Sequence, residues 1–141
     1  MRSRDARANG PRRILFVCVE NSNRSQMAEA FARKLGGDRV EAWSAGSKPS
    51  GQVNPRAVEA MQEKGIDLAS HRSKSVHEIA GLPFDAVVTL GCGDECPNVQ
   101  AQMREDWSIP DPREMKPEEF RGVRDLIEAS VKALLLRLES A

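Results

Sequence analysis

The sequence predicts an α/β fold, a three-layer sandwich in which helices flank a parallel sheet. Short apolar segments typical of strands alternate with amphipathic helical segments, and this order is typical of right-handed βαβ units. The first strand is predicted over residues 13–19, RILFVCV, because a nearly continuous apolar run is expected of a strand buried on both faces of a sheet. The length of 141 residues fits one domain, since domains of about 100–150 residues are the commonest.

Two helices and a second strand follow. Apolar residues recur every four positions over 26–35, and two glycines directly after this stretch end the first predicted helix. The second strand is predicted over 40–44, and the glycine, proline and serine residues of 45–53 predict a loop. A second helix begins with Asn54 as its N-cap and Pro55 as its first residue, and it is expected to end at the next glycine.

The second half of the chain predicts two more strands and a long helix. PFDAVVTL at 83–90 is the third strand, and 105–109 is the fourth, which Pro110 ends. From Pro117 to Leu138 apolar residues keep steps of three and four positions, which predicts an amphipathic C-terminal helix. Because ligands of such sheets bind outside the carboxyl ends of the strands, we expect the loops after the first, third and fourth strands to converge on one site.

The composition excludes several classes of protein. Hydrophobic residues make up 40% of the chain, which argues against disorder throughout. The 21 basic and 21 acidic residues give a net charge of zero, which argues against a protein that coats nucleic acid or an anionic membrane. No apolar run approaches the roughly 18–20 residues of a membrane span. Neither nucleic acid nor a membrane is therefore expected as a partner.

The N-terminus and the cysteine count predict a cytoplasmic protein. Five arginines lie within the first 13 residues, but no long apolar stretch follows them, so they do not resemble a secretory signal. We interpret residues 1–11 as a disordered basic tail that precedes a single catalytic domain at 12–141. Three cysteines are an odd number, and without an export signal they favour a reducing compartment.

The loop after the first strand has the pattern best suited to chemistry. Cys18 ends the strand, Arg24 follows six residues later, and a helix begins directly afterwards. Backbone N–H groups at such a helix N-terminus cradle an anion, and the Arg24 guanidinium can bind two oxygens of a tetrahedral oxyanion. The same positive field, with a hydrogen bond from Ser25, stabilises a Cys18 thiolate. A nucleophile beneath an oxyanion predicts covalent transfer, and a small buried core cysteine is the alternative.

The other two cysteines, Cys92 and Cys96, lie in the loop that directly follows the third strand, so we expect them near the first loop. Separated by three residues, these thiols could form a disulfide if their Cα atoms approach to roughly 4.4–6.8 Å. A metal site is one alternative, but His71 and His77 are not paired with the thiols at ligand spacing, so no metal is predicted. Two unreactive loop cysteines are the other alternative.

Several motifs together resemble one enzyme family. In chain order they are CVENSNR at 18–24 followed by SQMAEAF, WSAG at 43–46, and then NPRAVEAM, VVTL and DWSIPDP. This set resembles the low-molecular-weight protein tyrosine phosphatase superfamily, and most closely its thioredoxin-coupled arsenate reductase branch. The resemblance implies a four-stranded parallel sheet flanked by helices. It also implies an oxyanion-binding loop made of Val19, Glu20, Asn21, Ser22, Asn23, Arg24 and Ser25.

The resemblance implies a reductase that uses all three thiols. The Cys18 thiolate attacks arsenate, Cys92 then attacks Cys18 and releases arsenite, and Cys96 attacks Cys92 to leave a 92–96 disulfide. Asp111 matches the general acid of the family, although a turn residue before Pro112 is the alternative from the residues alone. No cofactor is expected to be bound. An external dithiol such as thioredoxin resets the enzyme, with glutathione or mycothiol as alternatives, and phosphate and sulfate are expected as substrate analogues.

The same resemblance keeps hydrolysis of phosphate monoesters as the alternative function, because a phosphatase needs no resolving cysteines. The chain has no tyrosine and only 4% aromatic residues. Arg113, Glu114 and Met115 follow the candidate acid, where phosphatases that act on phosphotyrosine usually carry aromatic side chains. These features favour a bare inorganic ion as the substrate. A degenerate domain that only binds an oxyanion or a partner protein is not favoured, since all the catalytic residues are present.

The spacing of the thiols and one loop residue differ from the better-known reductases. Asn23 replaces a frequent cysteine that is not part of the relay, so little effect is expected. Cys92 and Cys96 are closer together than in those relatives, which leaves the identity of the reductant open.

Lys74 is a third departure, because several relatives carry an acidic residue there. Some relatives bind potassium through that acidic residue and through residues that match Asn21, Glu29 and Ser44. We therefore expect the Lys74 ammonium to take the place of the ion and to pair with Glu29. An exposed surface lysine is the alternative.

Overall fold

Four parallel strands form one sheet in the computed structural model, which describes residues 10–79, 81–91 and 99–140. The strands are β1 (Arg12–Cys18), β2 (Val40–Gly46), β3 (Phe84–Leu90) and β4 (Ala101–Trp107), in the order β2-β1-β3-β4. The described residues also form helices α1 (Arg24–Gly36), α2 (Pro55–Gln62) and α3 (Pro117–Ser140), with short 3₁₀ helices at Gly37–Arg39 and Val76–Glu78. Every strand pair is parallel, which confirms the predicted α/β class. Of the predicted tail, residues 1–9 lie outside the described residues.

The position of the central strand β1 explains its apolar sequence, because other parts of the chain pack on both of its faces. It pairs with β2 on one side and with β3 on the other. Ile14 and Phe16 pack with the apolar faces of all three α-helices. Leu15 and Val17 pack with a smaller cluster around the 3₁₀ helix Val76–Glu78. The helical cover is therefore unequal on the two faces of the sheet.

Helix termini follow the residues that favour them. The Asn54 side chain accepts the backbone N–H of Arg56 at 2.8 Å, and Pro55 is the first residue of α2, as predicted. The helix ends at Gln62, earlier than predicted, and the chain turns before Gly65, whose φ of +76° is accessible mainly to glycine. Helix α1 begins at Arg24, two residues earlier than predicted, because its polar first turn carries no apolar periodicity.

The bounds predicted for the fourth strand, 105–109, were wrong. Among the described residues, strand β4 pairs with β3 alone and is therefore an edge strand. Its residues alternate between half-buried and exposed along Ala101–Trp107. This alternation places charged side chains such as Arg104 and Asp106 inside the strand, where a search for apolar runs does not find it. In the described ranges, no helix is both long and apolar enough to cross a membrane.

Candidate active site

Cys18 and Arg24 lie at the two ends of the loop that connects β1 to α1. Cys18 is the last residue of the strand and Arg24 is the first residue of the helix, so the loop passes over the helix N-terminus. There the first backbone N–H groups have no helical partners and the helix dipole is positive. The polar residues Asn21 to Ser25 are all buried. The loop therefore places buried hydrogen-bond donors and the positive end of the α1 dipole beside Cys18.

Close packing against the end of β2 keeps the loop in this shape. Asn21 has a φ of +52°, a left-handed conformation that asparagine adopts more readily than most residues. A Cβ atom at Gly46 would lie 2.5 Å from the Val19 carbonyl oxygen and 3.0 Å from the Asn21 nitrogen. No side chain fits between β2 and the loop, which explains the glycine of the WSAG motif.

The Cys18 thiol is buried beneath the loop and contacts one hydroxyl group. Its Sγ lies 2.9 Å from Ser25 Oγ. Asn21 Nδ2 donates a hydrogen bond to the same hydroxyl oxygen at 2.8 Å. Because that oxygen already accepts from Asn21, its proton is available to the sulfur. The Ser25 hydroxyl can therefore donate a hydrogen bond to the Cys18 sulfur, the atom that the sequence predicts to be the nucleophile.

Arg24 connects the loop to the chain that follows β4. Its Nη1 donates to the Ile109 carbonyl at 3.0 Å, and its Nη2 lies 4.0 Å from Asp111 Oδ2. The guanidinium is nearly buried, and a Cβ atom at Gly91, where β3 ends, would collide with it. Glycine at this position, with a φ of +83°, therefore leaves room for the arginine. The carboxyl ends of β1, β3 and β4 thus meet around Arg24.

These residues enclose a small cavity, here called the anion cavity, of about 190 Å³. It is lined by Cys18, Val19, Glu20, Ser22, Asn23, Arg24, Asp111 and Arg113. The Asp111 carboxylate is partly exposed at its edge and accepts the backbone N–H of Arg113 at 3.0 Å through Oδ1. The other carboxylate oxygen remains directed towards the Arg24 side. A thiol, a guanidinium and a carboxyl group in one small cavity can attack, bind and protonate a tetrahedral oxyanion.

A buried polar network supports the loop from residues that do not line this cavity. We call it the supporting network: Asn21, Gln26, Glu29, Ser44 and His71. Gln26 Nε2 donates to the Asn21 carbonyl and side-chain oxygens, both at 3.0 Å, and to the Arg72 carbonyl at 2.9 Å. Gln26 Oε1 must therefore accept, so His71 carries its proton on Nδ1, 2.9 Å away. Sequence reasoning missed Gln26 entirely and considered His71 only as a metal ligand.

Glu29 is the buried carboxylate of the supporting network. Ser44 Oγ donates to its Oε1 at 2.5 Å, and Arg33 Nη2 lies 2.6 Å from its Oε2. The expected ion pair between Lys74 and Glu29 does not form in this structure, where Arg33, one turn further along α1, pairs with Glu29. The Lys74 ammonium instead contacts the Arg72 carbonyl at 3.5 Å.

Burial has the same effect on the two basic side chains beside Glu29. It lowers the pKa of His71 from its ordinary value of 6.5, and the attraction of the Glu29 carboxylate does not offset it. Burial likewise lowers the pKa of the Lys74 ammonium. Both groups are therefore in surroundings that disfavour their charged forms.

Two predicted site residues, Cys92 and Cys96, lie outside the described residues. Gly91, directly before Cys92, lies against the Arg24 guanidinium. In the part of the chain that the structure describes, no group of three or more His, Cys, Asp or Glu side chains could hold a metal ion.

Comparison with known proteins assigns the family. Residues 13–141 match the family model of low molecular weight phosphotyrosine protein phosphatase. A glutaredoxin arsenate reductase from Synechocystis sp. is 36% identical over 130 residues, which cover 90% of this chain and 98% of that protein. A solved arsenate reductase in the phosphate binding state has a TM-score of 0.82 at 37% identity, over 89% of this chain and 98% of that chain. A thioredoxin-dependent arsenate reductase from Corynebacterium glutamicum has a TM-score of 0.75 at 30% identity, over 94% of this chain and 64% of that chain. The chain therefore belongs to the low molecular weight phosphotyrosine protein phosphatase family, in its arsenate reductase branch.

Proposed function

We propose that this protein reduces arsenate to arsenite with Cys18 as the nucleophile. The observation that carries the proposal is the Cys18 thiol, buried in a cavity of about 190 Å³ that also contains Arg24 and Asp111. The named relatives and structural neighbours, which are arsenate reductases at 30–37% identity, support this choice among the oxyanion chemistries of the family.

The first step joins sulfur to arsenic. The loop N–H groups and the Arg24 guanidinium bind the arsenate oxygens, and the Cys18 thiolate attacks the arsenic atom from below. One oxygen leaves as water, with its proton supplied by Asp111 through Oδ2, the oxygen that faces Arg24. The product is a covalent thiol–arsenate ester in which arsenic is still As(V).

The second step moves two electrons. The Cys92 thiolate attacks the Cys18 sulfur, an S–S bond forms, and the electron pair of the S–As bond leaves with arsenic as arsenite. Cys96 then attacks Cys92, which frees Cys18 and leaves a 92–96 disulfide. Gly91 lies against the Arg24 guanidinium, and Cys92 is the next residue in the chain. This proximity supports an approach of the Cys92 thiol to Cys18.

An external dithiol returns the enzyme to its reduced form. The relay ends as a disulfide, which exchanges with a thiol reductant and needs no bound cofactor. We propose thioredoxin, and a neighbour described as thioredoxin-dependent supports it. The name of the Synechocystis relative makes glutaredoxin the second reductant to test.

A coupled assay tests the function. Purified protein is mixed with arsenate, thioredoxin, thioredoxin reductase and NADPH, and the absorbance of NADPH is followed. We expect oxidation that depends on arsenate and is absent with Cys18→Ser. A second assay replaces the thioredoxin system with glutaredoxin, glutathione and glutathione reductase. No arsenate-dependent oxidation of NADPH in either assay, together with robust hydrolysis of an aryl phosphate, would instead support a phosphatase.

Weak phosphatase activity is a second function that the same cavity supports. Cys18 can take the phosphoryl group of an ester while Arg24 binds its oxygens and Asp111 protonates the departing alcohol oxygen. Water then cleaves the phosphocysteine, and neither Cys92 nor Cys96 takes part. We therefore expect Cys92→Ser and Cys96→Ser to retain weak hydrolysis of p-nitrophenyl phosphate while losing turnover with arsenate.

A further inference from the structure

Glu20 and Arg113 form an ion pair at the anion cavity. Arg113 Nη1 lies 2.8 Å from Glu20 Oε2, and both residues line the cavity with Cys18. Glu20 belongs to the loop that connects β1 to α1, whereas Arg113 belongs to the segment after β4 that carries Asp111. About half of each paired side chain is exposed, while Cys18 is buried. The pair therefore connects the two parts of the site on the solvent side of the cavity.

The backbones of both partners are fixed by other parts of the chain. The Glu20 carbonyl accepts from Ser73 Oγ at 2.8 Å. The Arg113 carbonyl accepts from Arg56 Nη1 at 2.8 Å, and the Arg56 guanidinium lies 5.0 Å from the centre of the Phe120 ring. The two side chains thus extend towards each other from defined positions.

A carboxylate on an anion-binding loop opposes the function of the loop. Glu20 lies two residues from Cys18, and its negative charge repels a dianion bound there. Arg113 cancels this charge through the ion pair. Because exposed ion pairs contribute little to folding stability, the main effect of this pair falls on the ligand rather than on the fold.

We propose that the Glu20–Arg113 pair is a specificity clasp for the oxyanion. It leaves room for a bare tetrahedral ion and blocks a substituent on the oxygen that points to solvent. A phosphate ester must push the Glu20 and Arg113 side chains apart to enter the anion cavity. Free arsenate and free phosphate can enter while the ion pair stays intact. This proposal rests on the proposed function and adds the residues that select its substrate class.

The clasp is tested with Arg113→Ala, Glu20→Ala and the double variant. The readouts are the inhibition constant of phosphate and kcat/KM for p-nitrophenyl phosphate. Arg113→Ala leaves Glu20 unpaired, so phosphate should bind about fivefold more weakly, the upper range for an exposed charge pair. Removing Glu20 as well should restore phosphate binding. The double variant should also hydrolyse the aryl ester about tenfold faster than the wild type, a change typical of one altered contact in a pocket.

An exposed ion pair remote from Cys18 provides the matched control. Arg39 pairs with Glu139 and directly precedes β2, at the amino ends of the strands, whereas Cys18 lies at the carboxyl end of β1. Arg39→Ala should change neither readout. Unchanged phosphate binding in Arg113→Ala, or no gain on the aryl ester in the double variant, would overturn the clasp. Arsenate reduction is measured separately, so a wild type without it would disprove the proposed function while the two phosphate readouts still judge the clasp.

Discussion

The anion cavity and the supporting network are built on the same loop, but their polar groups are paired to different degrees. In the network, Gln26 alone makes four hydrogen bonds. In the cavity, by contrast, Arg24 Nη2 and Asp111 Oδ2 remain 4.0 Å apart, so neither group saturates the other. The fully hydrogen-bonded support fixes the shape of the loop, so the unpaired groups of the cavity are held in place for a ligand.

Cys18→Ser should separate the two regions most sharply. A serine hydroxyl does not ionise in this field as a thiol does, so kcat should fall by about 10³-fold or more. The supporting network does not include the sulfur, so the free energy of unfolding should change by no more than about 1 kcal/mol. Arsenite release and chemical unfolding measure the two effects. Substantial activity in this variant would remove Cys18 as the nucleophile.

Gln26→Leu should have the opposite profile. It leaves the Asn21 carbonyl, the Arg72 carbonyl and His71 Nδ1 without their partner, and unsatisfied buried groups of this kind together cost about 3 kcal/mol. Urea unfolding should show this loss, and activity should fall only as the loop loses its shape. Gln62→Leu, at the exposed end of α2, is the control and should be nearly neutral. Equal stability of the two variants would mean that the network does not support the loop.

His71 should make the supporting network sensitive to pH. Its pKa is lowered in the folded protein because burial disfavours the imidazolium, so the unfolded chain binds the proton more readily. Stability should therefore fall as the pH drops below the ordinary histidine value of 6.5, and should be constant in this respect above it. His71→Asn keeps a donor near Nδ1 but cannot titrate. The variant should show a smaller loss of stability between neutral and mildly acidic pH, and an unchanged loss would exclude His71 as the cause.

Lys74 should give the smallest effect. If its ammonium replaces a bound cation, activity and Tm of the wild type should be equal in potassium and in sodium at matched ionic strength. Lys74→Asp should then create a potassium response, since it removes the built-in charge beside Glu29 and adds an anionic ligand. A marked potassium dependence of the wild type would contradict the replacement. A variant that is merely weaker, without ion selectivity, would identify Lys74 as a surface residue.

Features that depend on a short stretch of sequence could be predicted, whereas contacts between distant segments could not. Strand β1 is covered on both faces and has no alternation of apolar and polar residues, so its apolar run predicted it. The edge strand β4 does alternate, and the prediction placed it too far along the chain, at 105–109 instead of Ala101–Trp107. Cys18 and Arg24 belong to one short loop, and their spacing is a local signal. The contact between Gln26 and His71 joins residues 45 positions apart. Such a contact forms only when the fold brings two distant segments together. Neither a glutamine nor a histidine carries a local sequence signal that predicts it.

Trapping the relay tests whether arsenate reacts at Cys18 and passes its oxidising equivalents to Cys92. Cys96→Ser is incubated with arsenate without a reductant, and peptides are mapped under non-reducing conditions. We expect one equivalent of arsenite per chain and a disulfide between Cys18 and Cys92, whereas Cys92→Ser should release no arsenite. A dominant disulfide between Cys18 and Cys96 in the wild type, or no arsenite from Cys96→Ser, would contradict this order of the relay.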